Sequence, residues 1–423
     1  MSDIRLSRSI ISGHATPPPS KSIAHRAIIC ASLAGGGSID GVIQSDDMRA
    51  TLGAVEAIGV KAAVDGECVI IEKSAAGPNE HPIIDCIESG STLRFLIPVF
   101  AALGIECTFI GRGRLPKRPL GVYARCLPEH GVSLSNVSGL PLTISGRLGA
   151  GRYELPGDIS SQFISGLMFA LPLCKGDSDI VLTTPIESAS YIDLTIDALY
   201  KTGIIIQRVD NGWHIKGGQT YRPFEYKVEG DWSQAAFLLV MGALGGDIAV
   251  DGVNMQSLQG DRIILEVMKS FGADVQIVDN GVICRRGDLR GAEIDASQIP
   301  DLVPILAVLG GLADGETIIS GASRLRLKES DRLEAVSHCL KLLGGHAEQT
   351  GDGLKIRGVD RFFGGVALPS FNDHRIVMSM AAAALGCDNP IIIEDAECVA
   401  KSWPDFFDIY KKCGGVADVV RNR

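Results

Sequence analysis

The chain has 423 residues, 46% of them hydrophobic and 21% charged, which permits a large packed core and excludes global disorder. A formal net charge of −10 argues against nucleic acid or an anionic membrane as partner, yet leaves room for a locally basic cleft. The eleven cysteines are dispersed without a Cys-x-x-Cys pair, which suits reduced thiols in a cytoplasm better than a disulfide framework or a zinc site. No signal-peptide pattern is visible, and the apolar runs stop after about a dozen residues, too few to span a bilayer. The first strand is expected over residues 3–12, followed by His14-Ala15-Thr16 and Pro17-Pro18-Pro19 as a crossover. The proline run reads as a loop that delivers Ser20, Lys21 and Ser22 to the start of an apolar helix over residues 23–34.

Apolar helices with polar starts recur at residues 91–103, 162–173, 233–244, 301–312 and 375–385. Taking 22 as the first start, the intervals are 69, 71, 71, 68 and 74 residues. A second series runs beside them, in which a more polar helix ends at a glycine and a strand, a turn and another strand follow. Those glycines are Gly59, Gly131, Gly203, Gly272, Gly344 and Gly414, spaced 72, 72, 69, 72 and 70 residues apart. Two markers sharing one period predict six copies of a strand–helix–strand–helix–strand–strand unit. An α/β fold of two domains with three copies each follows, and the turn-rich stretch at 217–223 is the expected break. The first domain is expected over residues 20–222, and the second over 1–19 together with 223–423. Only two crossovers would then join two globules able to close like jaws.

Helix starts present unpaired N–H groups and a dipole end equivalent to about half an elementary charge. At or near the six starts stand Lys21, Arg26, Arg94, Arg118, Lys328, Arg332, Arg375 and Lys401, with Gly157-Asp158-Ile159-Ser160-Ser161-Gln162 at the third. Taken singly, serines and aspartates there are often caps worth about 1 kcal/mol, and arginines are often solvated. Taken together, they are expected to line a cleft for small, multiply negative ligands, because arginine forks bind phosphate and carboxylate bidentately.

Several motifs resemble, in order and over essentially the whole chain, those of the 5-enolpyruvylshikimate-3-phosphate synthases. They are Pro19-Ser20-Lys21-Ser22-x-x-x-Arg26, Gly90-Ser91-Thr92-x-Arg94, Arg118-Pro119, Gly157-Asp158-x-Ser160-Ser161-Gln162, Leu327-Lys328-Glu329-Ser330-Asp331-Arg332, Asn372-Asp373-His374-Arg375 and Lys401-Ser402-x-Pro404. The resemblance implies a two-domain inverse α/β barrel architecture built from three repeats per domain. It also implies transfer of the enolpyruvyl group of phosphoenolpyruvate to the 5-hydroxyl of shikimate 3-phosphate, with release of phosphate. That is a step of the shikimate pathway to aromatic amino acids, and the family is the glyphosate target. Ser22 and Arg26 are implied on the shikimate carboxylate side, Ser160, Ser161 and Ser188 on its phosphate, and Gln162 and Tyr191 on its ring. Phosphoenolpyruvate is implied to be clamped by Gly90, Arg118, Arg332, Arg375 and Lys401, with Gln162 and Lys328 assisting, and Lys21 touching both substrates. Asp301 is the candidate base for the 5-hydroxyl and Glu329 the candidate for proton transfer at the methylene carbon, with Lys21 a second proton-transfer candidate. Asp301 and Lys328 also count among the expected shikimate 3-phosphate contacts. No metal, nucleotide or organic cofactor is required by this chemistry, and a cytoplasmic monomer is expected.

Glu88 stands where many relatives carry Asn, which leaves the contacts beside the phosphoenolpyruvate seat and glyphosate sensitivity open. The sibling enzyme acting on UDP-N-acetylglucosamine uses a loop cysteine shortly before the Arg-Pro pair, and residues 111–118 contain none. A shikimate kinase is disfavoured by the missing Gly-x-x-x-x-Gly-Lys-Ser/Thr cradle. A non-catalytic anion-binding scaffold would need the cationic seats but neither Asp301 nor Glu329.

Overall fold

The computed structural model describes residues 2–422. Among these, six apolar helices correspond to the six expected starts. They are α1 (Lys21–Ala34), α2 (Gly90–Leu103), α3 (Ser161–Ala170), α4 (Trp232–Gly245), α5 (Val303–Gly311) and α6 (His374–Ala383). α5 reads Val-Pro-Ile-Leu-Ala-Val-Leu-Gly-Gly, and every one of those residues is buried. A helix that is apolar all round has no face for water and belongs at the centre of a core. The second helix of each copy is one-sided instead: Ala189–Lys201, for example, buries Ile192, Thr195, Ala198 and Leu199 at helical spacing.

The described residues form six four-stranded sheets with one pairing rule. In the second, third and fifth copies the strand before the apolar helix pairs in parallel with the strand after it, and the closing hairpin adds two antiparallel strands; the other three sheets keep this pattern with one strand brought from elsewhere in the chain. The second copy shows the rule: Ile83–Asp85 lies parallel to Cys107–Ile110, which lies antiparallel to Leu142–Gly146, itself paired with Val132–Leu134. The six marker glycines all take left-handed backbone, with φ of 90°, 87°, 84°, 85°, 88° and 96°. Each ends the second helix and turns the chain into the strand that follows, a conformation that only glycine adopts at no steric cost. That strand opens the hairpin in the first five copies and pairs with Ser2–Ser7 in the sixth.

The chain divides into two compact units, residues 19–228 and the remainder, each with its own hydrophobic core. The break lies at 228/229 rather than at 222/223. The reason is Phe224–Lys227, which pairs in parallel with Gly36–Asp40 and supplies the opening strand of the first copy's sheet. The strand expected over 3–12 is two strands in different sheets of the other unit. Ser2–Ser7 sits between Ile391–Glu394 and Val416–Asn422, while Ser12–Ala15 runs parallel to Asp247–Asp251. N-terminal residues thus complete the fourth and sixth copies, and a strand from beyond the third copy completes the first.

Candidate active site

Four of the six apolar helices are capped by side chains. Ser89, Ser160, Asp231 and Asp373 accept from backbone N–H groups of α2, α3, α4 and α6. Ser20 makes no such bond, so α1 starts without a side-chain cap, with Lys21 and Ser22 in its first turn. The loops entering α2 and α6 also hold residues in the left-handed region, Ile87 (φ 52°), Phe371 (53°) and Asn372 (54°), as does Ser188 (54°) at the start of the helix Ala189–Lys201. Such backbone costs about 1–3 kcal/mol per residue and persists where a site requires it.

In the unit of residues 19–228, Lys21 Nζ lies 2.7 Å from Asp47 Oδ2. Arg26 is buried and donates to Thr195 Oγ1 at 2.9 Å, to the Ser22 carbonyl at 2.6 Å and to the Tyr191 carbonyl at 2.7 Å. Its guanidinium also lies 5.1 Å from the Phe95 ring centroid, and burial lowers its pKa to about 10. Arg94 reaches Gln162 Oε1 at 2.7 Å, and Gln162 Nε2 donates to Ser91 Oγ at 2.9 Å. Those two bonds fix the orientation of the amide. Arg118, also buried, lies against Gly90 so closely that a Cβ there would stand 2.7 Å from a guanidinium nitrogen. Glycine at 90 is therefore what allows the fork to rest on the start of α2. A backbone bond from Glu187 to the Gly157 carbonyl, 3.0 Å, ties the loop of Ser188 to the loop of Ser160 and Ser161.

The other unit builds a denser cluster. Asp301 occupies the helical turn entering α5, and its Oδ1 accepts from Arg332 at 2.9 Å and lies 3.6 Å from Lys328 Nζ. Arg375 reaches Asp301 Oδ2 at 3.3 Å, the Asp301 carbonyl at 3.1 Å and Ser233 Oγ at 2.9 Å, joining the starts of α6, α5 and α4. Arg332, its side chain 2% exposed, also donates to Glu329 Oε2 at 2.8 Å and to Asp373 Oδ2 at 2.8 Å. Burial works to lower the Arg332 pKa, but the three carboxylates Asp373, Glu329 and Asp301 outweigh it and move it upward. Lys328 falls to about 8: burial dominates, the positive charges of Arg332 and Arg324 add to it, and Asp301 and Glu329 oppose it. Lys401 Nζ donates to the Asn372 carbonyl at 2.7 Å, at the strained turn that precedes the Asp373 cap.

The expected residues thus gather as two sets. Lys21, Ser22, Arg26, Gly90, Arg118, Ser160, Ser161, Gln162, Ser188 and Tyr191 belong to one unit, and Asp301, Lys328, Glu329, Arg332, Arg375 and Lys401 to the other. The structure adds two acids to which sequence reasoning assigned no role. Asp47 pairs with Lys21 from the first turn of the helix Asp46–Glu56, where Ser45-Asp46-Asp47 was a legible helix start. Asp373, fully buried, receives Ser330 Oγ at 2.9 Å as well as Arg332.

A family model described as EPSP synthase (3-phosphoshikimate 1-carboxyvinyltransferase) matches residues 7–410. A 3-phosphoshikimate 1-carboxyvinyltransferase from Clostridium kluyveri is 44% identical over 421 residues, covering 99% of both chains. The enzyme of that name from Clostridium acetobutylicum is 44% identical over 422 residues, covering 98% of both. Among solved structures, EPSP synthase from Acinetobacter baumannii superposes over 100% of both chains with a TM-score of 0.83 and 26% identity. The enolpyruvyl transferase NikO from Streptomyces tendae shares the fold, with a TM-score of 0.79 over 99% of this chain and 98% of its own at 15% identity. Six copies of one unit, with cations collected at the helix starts, define an enolpyruvyl transferase architecture. The chain belongs to the EPSP synthase family, the 3-phosphoshikimate 1-carboxyvinyltransferases.

Proposed function

We infer that the chain transfers the enolpyruvyl group of phosphoenolpyruvate to the 5-hydroxyl of shikimate 3-phosphate and releases phosphate, as its family membership indicates. The observation that carries the assignment of residues is the cluster at the starts of α4, α5 and α6, where Asp301 and Glu329 share one set of cations. Each substrate has one phosphate and one carboxylate, so four anionic groups must be matched. In this reading Ser160, Ser161 and Ser188 take the shikimate phosphate, Ser22 and Arg26 its carboxylate side, and Gln162 and Tyr191 its ring. Phosphoenolpyruvate is held by Lys21, Gly90, Arg118 and Gln162 together with Lys328, Arg332, Arg375 and Lys401.

The reaction adds the 5-oxygen to the enol carbon while the methylene gains a proton. Phosphate and a methyl proton then leave to restore the double bond. Asp301 takes the hydroxyl proton, and Glu329 or Lys21 gives and removes the carbon-bound proton. Arg332 reaches both acids, which keeps them at separate atoms of one guanidinium and suits two distinct proton transfers. Among the described residues no helix is long and apolar enough to cross a membrane, and the protein is proposed to act as a cytoplasmic monomer.

Phosphate release that requires both substrates together tests the reading, and replacing shikimate 3-phosphate with UDP-N-acetylglucosamine should abolish it. Release with the nucleotide sugar would move the chain to the sibling activity, and no release under either condition would leave only an anion binder. A second expectation concerns pH. Below its pKa of about 8, Lys328 carries the charge that helps hold phosphoenolpyruvate. The KM for that substrate should therefore climb as pH rises through 8, while Lys328→Arg, charged throughout, should flatten the climb. An unchanged profile in the variant would remove Lys328 from this role.

A further inference from the structure

His25 is buried one turn after Lys21 on α1, and its Nδ1 lies 2.7 Å from Thr51 Oγ1. Thr51 stands one turn after Asp47 on the helix Asp46–Glu56, so the two helices are joined by two rungs, Lys21–Asp47 and His25–Thr51. From Thr51 the chain of hydroxyls continues to Thr92 Oγ1 at 2.7 Å and from there to Ser89 Oγ at 2.8 Å. Ser89 caps α2, whose first residue, Gly90, supports the Arg118 guanidinium.

The direction of the chain settles the imidazole. Thr92 spends its one hydroxyl proton on Ser89, so Thr51 must donate to Thr92. Thr51 Oγ1 then accepts from His25, which must carry its proton on Nδ1. His25 Nε2 is buried without a hydrogen-bond partner, so a second proton there would have no acceptor. Burial, and then the charges of Lys21 and Arg26, hold the His25 pKa well below its ordinary value.

We propose that His25, as a neutral Nδ1–H donor, is a positioning residue for the Lys21–Asp47 pair and, through Thr51 and Thr92, for the Ser89–Gly90 seat beneath Arg118. His25 is itself buried and acts through these neighbours. The proposal rests on the functional reading above, because its consequence falls chiefly on phosphoenolpyruvate, through both Lys21 and the Gly90–Arg118 seat, and only through Lys21 on shikimate 3-phosphate. The phosphate-side serines Ser160 and Ser161 cap and open α3, outside this chain of hydroxyls.

The test uses the full chain carrying His25→Leu, His25→Asn and Thr51→Val. Asn places a polar atom where the imidazole Nδ1 stands, and Val keeps the shape of Thr without its hydroxyl. His25→Leu and Thr51→Val should each raise the KM for phosphoenolpyruvate about tenfold or more. The KM for shikimate 3-phosphate, which Lys21 also touches, should rise clearly less, by about threefold at most, and His25→Asn should recover most of the loss. Nitrogen-15 spectra of histidine-labelled parent protein without substrates, with His25 assigned by its loss in His25→Asn, should show the Nδ1-protonated neutral form at pH 7. An Nε2-protonated or charged imidazole would overturn the proposal. So would equal damage in the Leu and Asn variants, equal rises in both KM values, or no change with Thr51→Val. The spectrum needs no turnover, so a parent lacking two-substrate phosphate release would count against the functional reading while His25 is judged on its tautomer. Should His25→Leu fail to fold, Thr51→Val and the spectrum decide.

Discussion

Asp301→Ala is expected to lower turnover about 10²–10⁴-fold, the span ordinarily lost with a general base, while substrate binding stays largely intact. The surroundings make this a clean experiment. Arg375 keeps its bond to the Asp301 carbonyl and to Ser233 Oγ, and Arg332 keeps Glu329 and Asp373. The cations therefore remain in place when the carboxylate goes. Lys328, Arg332 and Arg375 face Asp301, Glu329 and Asp373 in this cluster, so deleting one acid leaves a net positive charge. Phosphoenolpyruvate should bind no more weakly for that, and titration calorimetry would read it directly. Asp301→Asn separates basicity from placement, because the amide retains an acceptor oxygen for Arg332 but takes up no proton. It should be nearly as slow as the alanine variant. Turnover within fivefold of the parent in either variant would reject Asp301 as the base.

Much of this architecture can be read from spacing, because each copy repeats the same local demands. A helix buried on every side must be apolar all round, and a helix that turns directly into a strand needs a residue tolerant of positive φ, hence the six glycines. Local chemistry also marks the helix starts, although at four of the six apolar helices the polar residue proved to be a cap. What escapes sequence reasoning is pairing at a distance. Nothing near Lys21 announces Asp47, 26 positions away, and nothing near Arg332 announces Asp373, 41 positions away. Both contacts follow from how one helix packs on the next. The unit boundary was misplaced for a related reason: Phe224–Lys227 looks like an ordinary short strand, and only its partner, Gly36–Asp40, reveals which core it completes. The break between Ser2–Ser7 and Ser12–Ala15 is equally silent, since strand propensity does not say that the two halves enter different sheets.

Arg332→Met should destabilise the protein by about 3–5 kcal/mol at neutral pH, the range expected when one member of a buried ion cluster is removed. The largest share comes from Asp373, because Asp301 and Glu329 retain some contact with water and can rehydrate, whereas Asp373 is fully buried. In the parent, burial pushes the Asp373 carboxyl upward, but Arg332 and then His374 outweigh it, and the group sits below its ordinary value. Its contribution to stability is therefore present above the unfolded pKa of about 3.9 and lost as pH falls through the lower folded value. Without Arg332 the burial effect prevails and the folded pKa moves above 3.9. The folded variant then binds a proton more readily than the unfolded chain, so its stability falls as pH rises through that window. The stability gap between parent and variant should accordingly be wide at pH 7.5 and narrower at pH 5, measured by urea unfolding. Adding Asp373→Asn to Arg332→Met should recover part of the loss, since an amide buried beside Ser330 leaves no orphaned charge. A gap below 1 kcal/mol, or one of equal width at both pH values, would show that Asp373 does not depend on Arg332 for its charge.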